Sequence, residues 1–153
     1  MGLIERLEQE HEELVYMIDE ISQLQDGARK SHDYHGSFQR ILSHEGSEEE
    51  TLYEALDDRP EANEAREKGR DDHRAILRVI ELLNEITPDN ILWDERLNEL
   101  KALLRDHVRM EEEQLFPKAR ELLGEERLVR LEEQYASIER VLARPPSPTV
   151  NRI

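Results

Sequence analysis

The sequence predicts an all-α protein: an up-down antiparallel four-helix bundle, built from a duplicated helical hairpin, with a fifth C-terminal amphipathic helix. Charged residues make up 38% of the 153-residue chain and aromatic residues only 5%, which is more typical of helices than of sheets. Apolar residues recur at helical spacing in five segments. A motif of the form H-x-x-x-E-E-E-x-L occurs twice, beginning at His44 and at His107. Such a repeat indicates a duplicated two-helix unit.

Two helices are predicted in the first half of the chain. The first covers residues 3–25 and ends at Asp26-Gly27, because glycine often follows the last turn of a helix. After a short polar link, the second covers residues 31–56. It carries Gly46 in its interior, where glycine costs about 1 kcal/mol relative to alanine. We therefore expect a less regular turn in the middle of this helix.

Two further helices are predicted in the second half, and a fifth beyond them. Pro60 suits the first turn of the third helix, which extends to about Ile86. The fourth begins between residues 91 and 94, and Pro117 is expected to kink or end it. A fifth amphipathic helix is predicted beyond Gly124, packed against the bundle or against another subunit. Its apolar stripe consists of Leu128, Leu131, Tyr135, Ile138 and Leu142.

One domain is expected over residues 1–143, followed by a disordered tail over residues 144–153. A chain of 153 residues with 37% hydrophobic content is long enough for one compact core. The tail contains Pro145, Pro146 and Pro148, which cannot continue a helix.

The composition also limits the compartment and the partners. No apolar run approaches the roughly 20 residues of a membrane span, and no signal-peptide core is present, so a cytoplasmic location is expected. The absence of cysteine excludes disulfides and thiolate sites. A net charge of −16 would repel nucleic acids and anionic membranes, so neither is expected as a partner.

Six inward-facing residues are candidate metal ligands. In each half, a lone histidine on one helix is followed on the next helix by a histidine and a glutamate four residues apart, which lie on one face. A helix rises about 1.5 Å per residue, and the four histidines lie at comparable distances from the connecting turns. They should therefore share one layer. The candidate ligands are His11, His44, Glu48, His73, His107 and Glu111.

This layer predicts a metal centre rather than an ordinary polar core. An unpaired buried polar group costs about 1–3 kcal/mol, and a divalent cation relieves both the repulsion and the desolvation of crowded ligands. Imidazole and carboxylate ligands without sulfur suit iron, manganese or zinc. A structural zinc site closes with four ligands, so six ligands favour two metals bridged by Glu48 and Glu111.

At these positions the sequence resembles the hemerythrin-like family, the histidine–histidine–glutamate cation-binding domains. The resemblance extends from about His11 to Pro117. It rests on two lone histidines, two H-x-x-x-E motifs and Phe116-Pro117 downstream of the second motif. It implies a four-helix bundle around two non-haem iron ions with an oxo or hydroxo bridge, which bind oxygen. The resemblance also implies that the six candidate residues are the ligands.

One departure from the family pattern bears on metal binding. Oxygen-carrying hemerythrins have a second histidine one turn from the ligand on the third helix, whereas Gly69 and Leu77 lie at those distances from His73. One metal is therefore expected to lack a nitrogen ligand. Water, or the Glu45 carboxylate beside His44, would fill the position.

Other polar residues are expected to lie outside the site. His35 precedes His44 by nine residues, half a turn out of phase, so His35 and the nearby His32 are assigned as surface or helix-capping residues. Four glutamates next to the ligands point away by helical phase and are expected to form a solvated face. They are Glu49, Glu50, Glu112 and Glu113.

Three functions remain open from the sequence. The preferred one is a non-catalytic di-iron protein that binds O2 or NO for sensing, delivery or scavenging. The second is iron-dependent chemistry of peroxide or oxygen, or stress repair, although the sequence shows no separate acid, base or substrate pocket. The third is an interaction module that the metal holds together, with the fifth helix contacting a partner. A homodimer through that helix is one form of such a contact.

Overall fold

The computed structural model describes residues 1–142 and contains six α-helices in this range. They are α1 (Leu3–Ser22), α2 (Asp26–Ser31), α3 (Tyr34–Glu48), α4 (Asn63–Asn84), α5 (Trp93–Met110) and α6 (Phe116–Leu142). Two π-helical turns, Glu49–Tyr53 and Glu111–Leu115, prolong α3 and α5, and a 3-10 turn, Pro60–Ala62, precedes α4. The described residues contain no strand, which confirms the all-α prediction. None of these helices has both the length and the hydropathy needed to cross a bilayer. The predicted tail, residues 144–153, lies outside this range.

Helices α1, α3, α4 and α5 form the predicted four-helix bundle. Consecutive members of this set pack against each other, and α5 also packs against α1, which closes the ring. The part of α6 beyond Gly124 lies across α1 and α3. Leu128, Leu131 and Tyr135 of that helix are buried in the core. These three residues of the predicted apolar stripe therefore pack against the protein's own bundle.

The interior consists of two apolar clusters with the candidate ligands between them. On α1, Leu7 belongs to one cluster and Leu14 to the other, and His11 lies between them in sequence. On α5 and its π turn, Leu104 and Leu115 flank the second histidine–glutamate pair in the same way. Each helix thus carries its ligand where its apolar stripe passes from one cluster to the other. The layer of polar side chains is enclosed by apolar packing on both sides.

The link between the first two long helices differs from the prediction. Asp26-Gly27 does not end the first helix, because α1 already stops at Ser22. Gln25 is extended, with φ −94° and ψ 170°, and Asp26 then begins the short helix α2. The next helix begins at Tyr34, because the Asp33 side chain accepts a hydrogen bond from the Gly36 amide and caps its first turn.

Pro117 does not end the helix in which it lies. The π turn Glu111–Leu115 ends two residues before Pro117. The regular i→i−4 hydrogen bonding is therefore already altered near the position where proline has no amide hydrogen to donate. The break occurs instead at Gly124, whose φ of 78° and ψ of 163° are non-helical. Glycine adopts this conformation without the steric cost of a Cβ atom. The prediction of a separate helical segment after Gly124 is confirmed.

Candidate metal centre

The structure brings the six predicted ligands into one buried layer. All six are at most 4% exposed. They form two overlapping groups of four, and the ligand atoms within each group lie within 4.8 Å of one another. One group contains His11, His44, Glu48 and Glu111, and the other contains Glu48, His73, His107 and Glu111. Each group therefore has two histidines of its own and shares both glutamates with the other.

In the first group, four polar atoms converge without hydrogen-bond partners in the described residues. They are His11 Nε2, His44 Nε2, Glu48 Oε2 and Glu111 Oε1. His11 Nε2 lies 3.1 Å from Glu111 Oε1 and 3.6 Å from Glu48 Oε2, yet these contacts are not aligned as hydrogen bonds. Unpaired buried groups each cost about 1–3 kcal/mol. A cation with ligand distances of about 2.0–2.2 Å would satisfy all four atoms together.

The second group has similar geometry. His73 Nε2 lies 3.0 Å from His107 Nε2 and 3.2 Å from Glu48 Oε1. His107 Nε2 lies 3.3 Å from Glu111 Oε2. Two ligands of one ion at about 2 Å are expected to lie about 3 Å apart. The residues of both groups therefore fit bound cations.

A carboxylate holds the outer nitrogen of each of the four histidines. Because a carboxylate only accepts, each Nδ1–H donates to it, and each Nε2 is left to face the layer. The four N–O pairs are His11 with Glu112 (2.8 Å), His44 with Glu10 (2.9 Å), His73 with Glu49 (2.8 Å) and His107 with Asp72 (3.0 Å).

These carboxylates follow the sequence repeat. Glu10 and Asp72 immediately precede the lone histidines, and each contacts the histidine of a histidine–glutamate pair on another helix. Neither residue was among the predicted site residues. The repeated acid–histidine dipeptide was the signal that would have identified them.

Glu49 and Glu112 correct another expectation. They were predicted to face solvent, and their side chains are 38% and 34% exposed, yet both bond to a histidine in the layer. Nδ1 lies on the outer side of an imidazole whose Nε2 faces the ligand layer, so a glutamate one residue beyond a predicted ligand can reach Nδ1. Glu50 and Glu113 are exposed, as predicted.

The carboxylates raise the pKa values of the histidines in the metal-free protein. Burial alone would lower the pKa of His44 and of His107. Glu48 together with Glu10 at His44, and Glu111 together with Asp72 at His107, outweigh burial and raise each pKa to about 9. Burial would raise the pKa of Glu48, but the neighbouring histidines, His44 first, hold it well below its usual value. Protons and a metal ion therefore compete for the inward nitrogens.

Two tyrosines outside the predicted ligand set contact this layer. The Tyr53 hydroxyl donates to Glu111 Oε2 at 2.6 Å. The Tyr135 hydroxyl, on α6, donates to Glu10 at 2.5 Å and lies 3.0 Å from His44 Nδ1. Periodicity placed Tyr135 on a packing stripe, but only the docked position of α6 brings it to the histidine.

Glu45 is buried but lies outside both ligand groups. Burial raises its pKa to about 7 against the opposing effect of the nearby histidines, and its Oε2 has no hydrogen-bond partner in the described residues. The structure therefore does not bring Glu45 into the four-atom groups. His35 is exposed, and His32 Nε2 lies 3.1 Å from Ser37 Oγ, away from the centre.

Comparison with known families agrees with this geometry. The family model of the Hemerythrin HHE cation binding domain matches residues 2–119. The chain belongs to this family. The resemblance predicted from the two histidine–glutamate motifs is thereby confirmed, and the candidate ligands lie within the matched part of this HHE domain.

Two known proteins are similar to this HHE domain. A crystal structure of a hemerythrin HHE cation binding domain-containing protein from Mycobacterium kansasii matches with a TM-score of 0.74 and 20% identity. The match covers 94% of this chain and 88% of that one, and at this identity it shows the fold alone. A DNA nickase from Nostoc sp. is 26% identical over 138 residues, which are 90% of this chain and 38% of the nickase. This chain thus spans well under half of that relative's length.

Proposed function

We propose that this HHE domain holds two iron ions and binds a small diatomic ligand, O2 or NO, at them. One ion would be held by His11 and His44 and the other by His73 and His107, with Glu48 and Glu111 bridging both. The observation that carries the proposal is the sharing of both buried glutamates by two groups of four ligand atoms. Nitrogen and oxygen ligands without sulfur suit iron, although manganese and zinc accept the same donors.

The surroundings of the layer favour a small ligand. Each ion would receive four protein ligands, which leaves coordination positions open on iron, and ferrous iron would supply the electrons for binding oxygen. The six ligands are at most 4% exposed and lie between two apolar clusters, so a small ligand can reach them more readily than a large one. The carboxylates at the four Nδ1 atoms fix the orientation of the imidazoles, so each Nε2 is kept toward the ion.

The first experiment is an optical titration of the ferrous-loaded protein with O2 and, separately, with NO. We expect about two iron ions per chain and a new near-ultraviolet and visible absorption on exposure to either gas. His107→Ala should lose this absorption, whereas the exposed-site control His35→Ala should keep it. Tightly bound metal without any optical change would contradict the proposal. It would favour the interaction module that the metal merely stabilises.

Iron-dependent peroxide chemistry is the second candidate, and the two tyrosines favour it. Tyr53 and Tyr135 are oxidisable groups in hydrogen-bond contact with Glu111 and Glu10 at the centre. Sustained consumption of hydrogen peroxide by the iron-loaded protein, lost in His107→Ala, would support this candidate. Binding of O2 that reverses when the gas is removed, without peroxide turnover, would support the first.

Nicking of DNA is not proposed for this chain. The nickase relative matches over only 38% of its own length, so its activity need not belong to the shared part. A net charge of −16 opposes contact with a phosphate backbone.

A further inference from the structure

The two halves of the centre differ in what holds the carboxylate behind one of their histidines. Glu10 orients His44, and Asp72 occupies the equivalent place behind His107. Asp72 also pairs with a lysine four residues earlier on its own helix. Glu10 is instead contacted by Tyr135, which belongs to α6 and therefore comes from outside the four-helix bundle. Within residues 1–142, hydrogen bonds from α6 thus reach the first half of the centre and not the second.

The Tyr135 hydroxyl lies where α6 meets this first half. It donates to Glu10 Oε1 at 2.5 Å, the same oxygen that accepts from His44 Nδ1 at 2.9 Å, and it lies 3.0 Å from that nitrogen. Oε2 of Glu139, one turn later on α6, lies 3.2 Å from the hydroxyl. Tyr135 is 0% exposed, so bulk solvent does not compete for these contacts. The hydroxyl therefore fixes the carboxylate that fixes the imidazole.

Arg6 on α1 holds the same group of side chains together. Its guanidinium pairs with Glu10 at 3.2 Å, and with Glu132 and Glu139 of α6 at 2.9 Å and 3.0 Å. It also lies over the Tyr135 ring, 5.5 Å from the centroid. The positions of α6 and of Glu10 are thus linked. If α6 leaves its place on α1, the contacts that hold this carboxylate are lost with it.

We propose that the docking of α6 controls the retention of one of the two metal ions, the ion held by His11 and His44, and that Tyr135 is the positioning residue. This inference rests on the proposed two-ion centre. With α6 docked, Glu10 keeps His44 Nε2 directed at the first ion. With α6 displaced, the imidazole loses its fixed orientation and this ion is released first. Because linkage is reciprocal, the first ion in turn holds α6 against the bundle.

The test is the affinity for ferrous iron, measured without oxygen by competition with a chromophoric chelator. It uses two backgrounds, because each ligand group has two histidines of its own. His107→Ala leaves the first ion to be measured, and His44→Ala leaves the second. We expect Tyr135→Phe to lower the affinity about 10-fold in the His107→Ala protein, the lower end of the usual effect of losing an outer partner of a ligand. In the His44→Ala protein it should change the affinity little. An equal loss in both backgrounds would mean a general effect on stability and would overturn the proposal.

A second pair of variants tests the docking of α6 with every tyrosine in place. Arg6→Gln removes the ion pairs that join α1 to the later part of α6, and it should also weaken binding of the first ion. Arg120→Gln is the matched control, because Arg120 joins the same two helices through Glu5 and Glu8. Neither of these glutamates bonds to a predicted ligand within residues 1–142, so the control should keep its affinity. Equal affinities of the two arginine variants, in the background that retains the first ion, would contradict the proposed control by α6.

Hydrogen exchange of the α6 amides tests the reverse direction of the linkage. Ferrous iron should slow exchange in residues 125–142 of the His107→Ala protein, where it binds the first ligand group, because the bound ion keeps α6 docked. The slowing should be smaller in the His44→Ala protein. The same slowing by either ion would refute the coupling between α6 and the first ion.

The remaining outcomes separate this inference from the proposed function. Wild-type protein that binds two iron ions, with both affinities unchanged by Tyr135→Phe, would overturn the role of α6 and leave the iron centre standing. Wild-type protein that binds no iron would overturn both proposals. If Tyr135→Phe failed to fold, the two arginine variants and the hydrogen exchange of the two histidine variants would still decide.

Discussion

At the scale of single residues, the centre depends on which nitrogen of each histidine faces inward. A neutral imidazole has one donor and one acceptor nitrogen. The carboxylate at Nδ1 makes Nδ1 the donor and leaves Nε2 as the acceptor. Glu112 and Glu113 are neighbours in sequence, but only Glu112 reaches His11. A difference of one residue therefore separates a group that orients a ligand from one that is merely solvated.

Removal of Glu112 should weaken metal binding although it contacts no metal. We expect Glu112→Ala to lower metal affinity about 10–100-fold, the usual effect of losing the partner of a ligating histidine. Competition with a chromophoric chelator measures this affinity. Glu113→Ala removes a similar charge from the exposed neighbour and should change affinity little. Equal effects of the two substitutions would show that net charge alone is responsible.

Substitution of a shared glutamate should lower the metal content of the protein more than substitution of one histidine. Glu48 contributes to both groups and His73 to one. We expect Glu48→Ala to retain well under one metal ion per chain and His73→Ala to retain about one, measured by elemental analysis after dialysis. Retention of two ions by Glu48→Ala would rule out a bridging role.

At the scale of elements, α6 is held to the bundle by polar and apolar contacts together. Arg6 on α1 pairs with Glu132 at 2.9 Å and with Glu139 at 3.0 Å on α6. Tyr135, on the same helix, reaches the Glu10 carboxylate that orients His44. The direction of α6 is set by the break at Gly124, so one backbone conformation places Tyr135 near the metal layer.

Gly124→Ala should destabilise the fold. The φ of 78° and ψ of 163° at this residue are strained for residues with a Cβ atom and cost on the order of 1–3 kcal/mol. We expect a loss of that size in the free energy of unfolding, measured by urea denaturation. Gly27→Ala lies in a helix with open space around it, and it should be neutral or slightly stabilising. Equal stability of both variants would contradict this account of the break.

At the scale of the whole molecule, metal binding and folding are linked through the buried layer. The layer lies between the two apolar clusters, so its charges affect the packing of all four helices of the bundle. A ligand that binds only the folded state stabilises it, by about 4 kcal/mol at 1,000 times its Kd. We expect chelation to lower the thermal unfolding temperature clearly. An unchanged midpoint would show that the layer is stable without metal.

The stability of the metal-free protein should fall as pH rises from about 6.5 to about 9. The pKa of His44 and of His107 is about 9 in the folded protein and about 6.5 when unfolded. Their contribution is complete below pH 6.5 and is lost as the pH passes through the folded pKa. Glu48 has a depressed pKa, so its contribution is lost below about pH 4.5 as it is protonated.

Thermal unfolding of chelated protein from pH 5 to pH 10 measures this dependence. Metal-loaded protein is the control, and its stability should not fall over the same interval, because metal replaces the histidine protons. Metal affinity should rise as pH increases toward 9. A metal-free midpoint that rises between pH 6.5 and 9 would contradict the assigned charges.

The repeat in the sequence was sufficient to predict the bundle, the family and the six residues that meet in the layer. Helical periodicity determines which face of a helix is buried. The number of residues between a side chain and the connecting turn determines its position along the bundle. Both can be read from the sequence. Helix boundaries were less accurate at Asp26-Gly27 and at Pro117, because side-chain capping and a π turn changed the local hydrogen bonding there.

Only the tertiary structure decided the surroundings of the layer. The roles of Glu10, Glu49, Asp72 and Glu112 depend on contacts between different helices, which a single-helix period cannot show. The space at Gly69 that accommodates Tyr53 likewise exists only when the π turn after α3 packs against α4. Sequence alone determined which residues turn inward, since that depends on local geometry. The packing of separate helices determined what each of them touches, since those atoms are far apart along the chain.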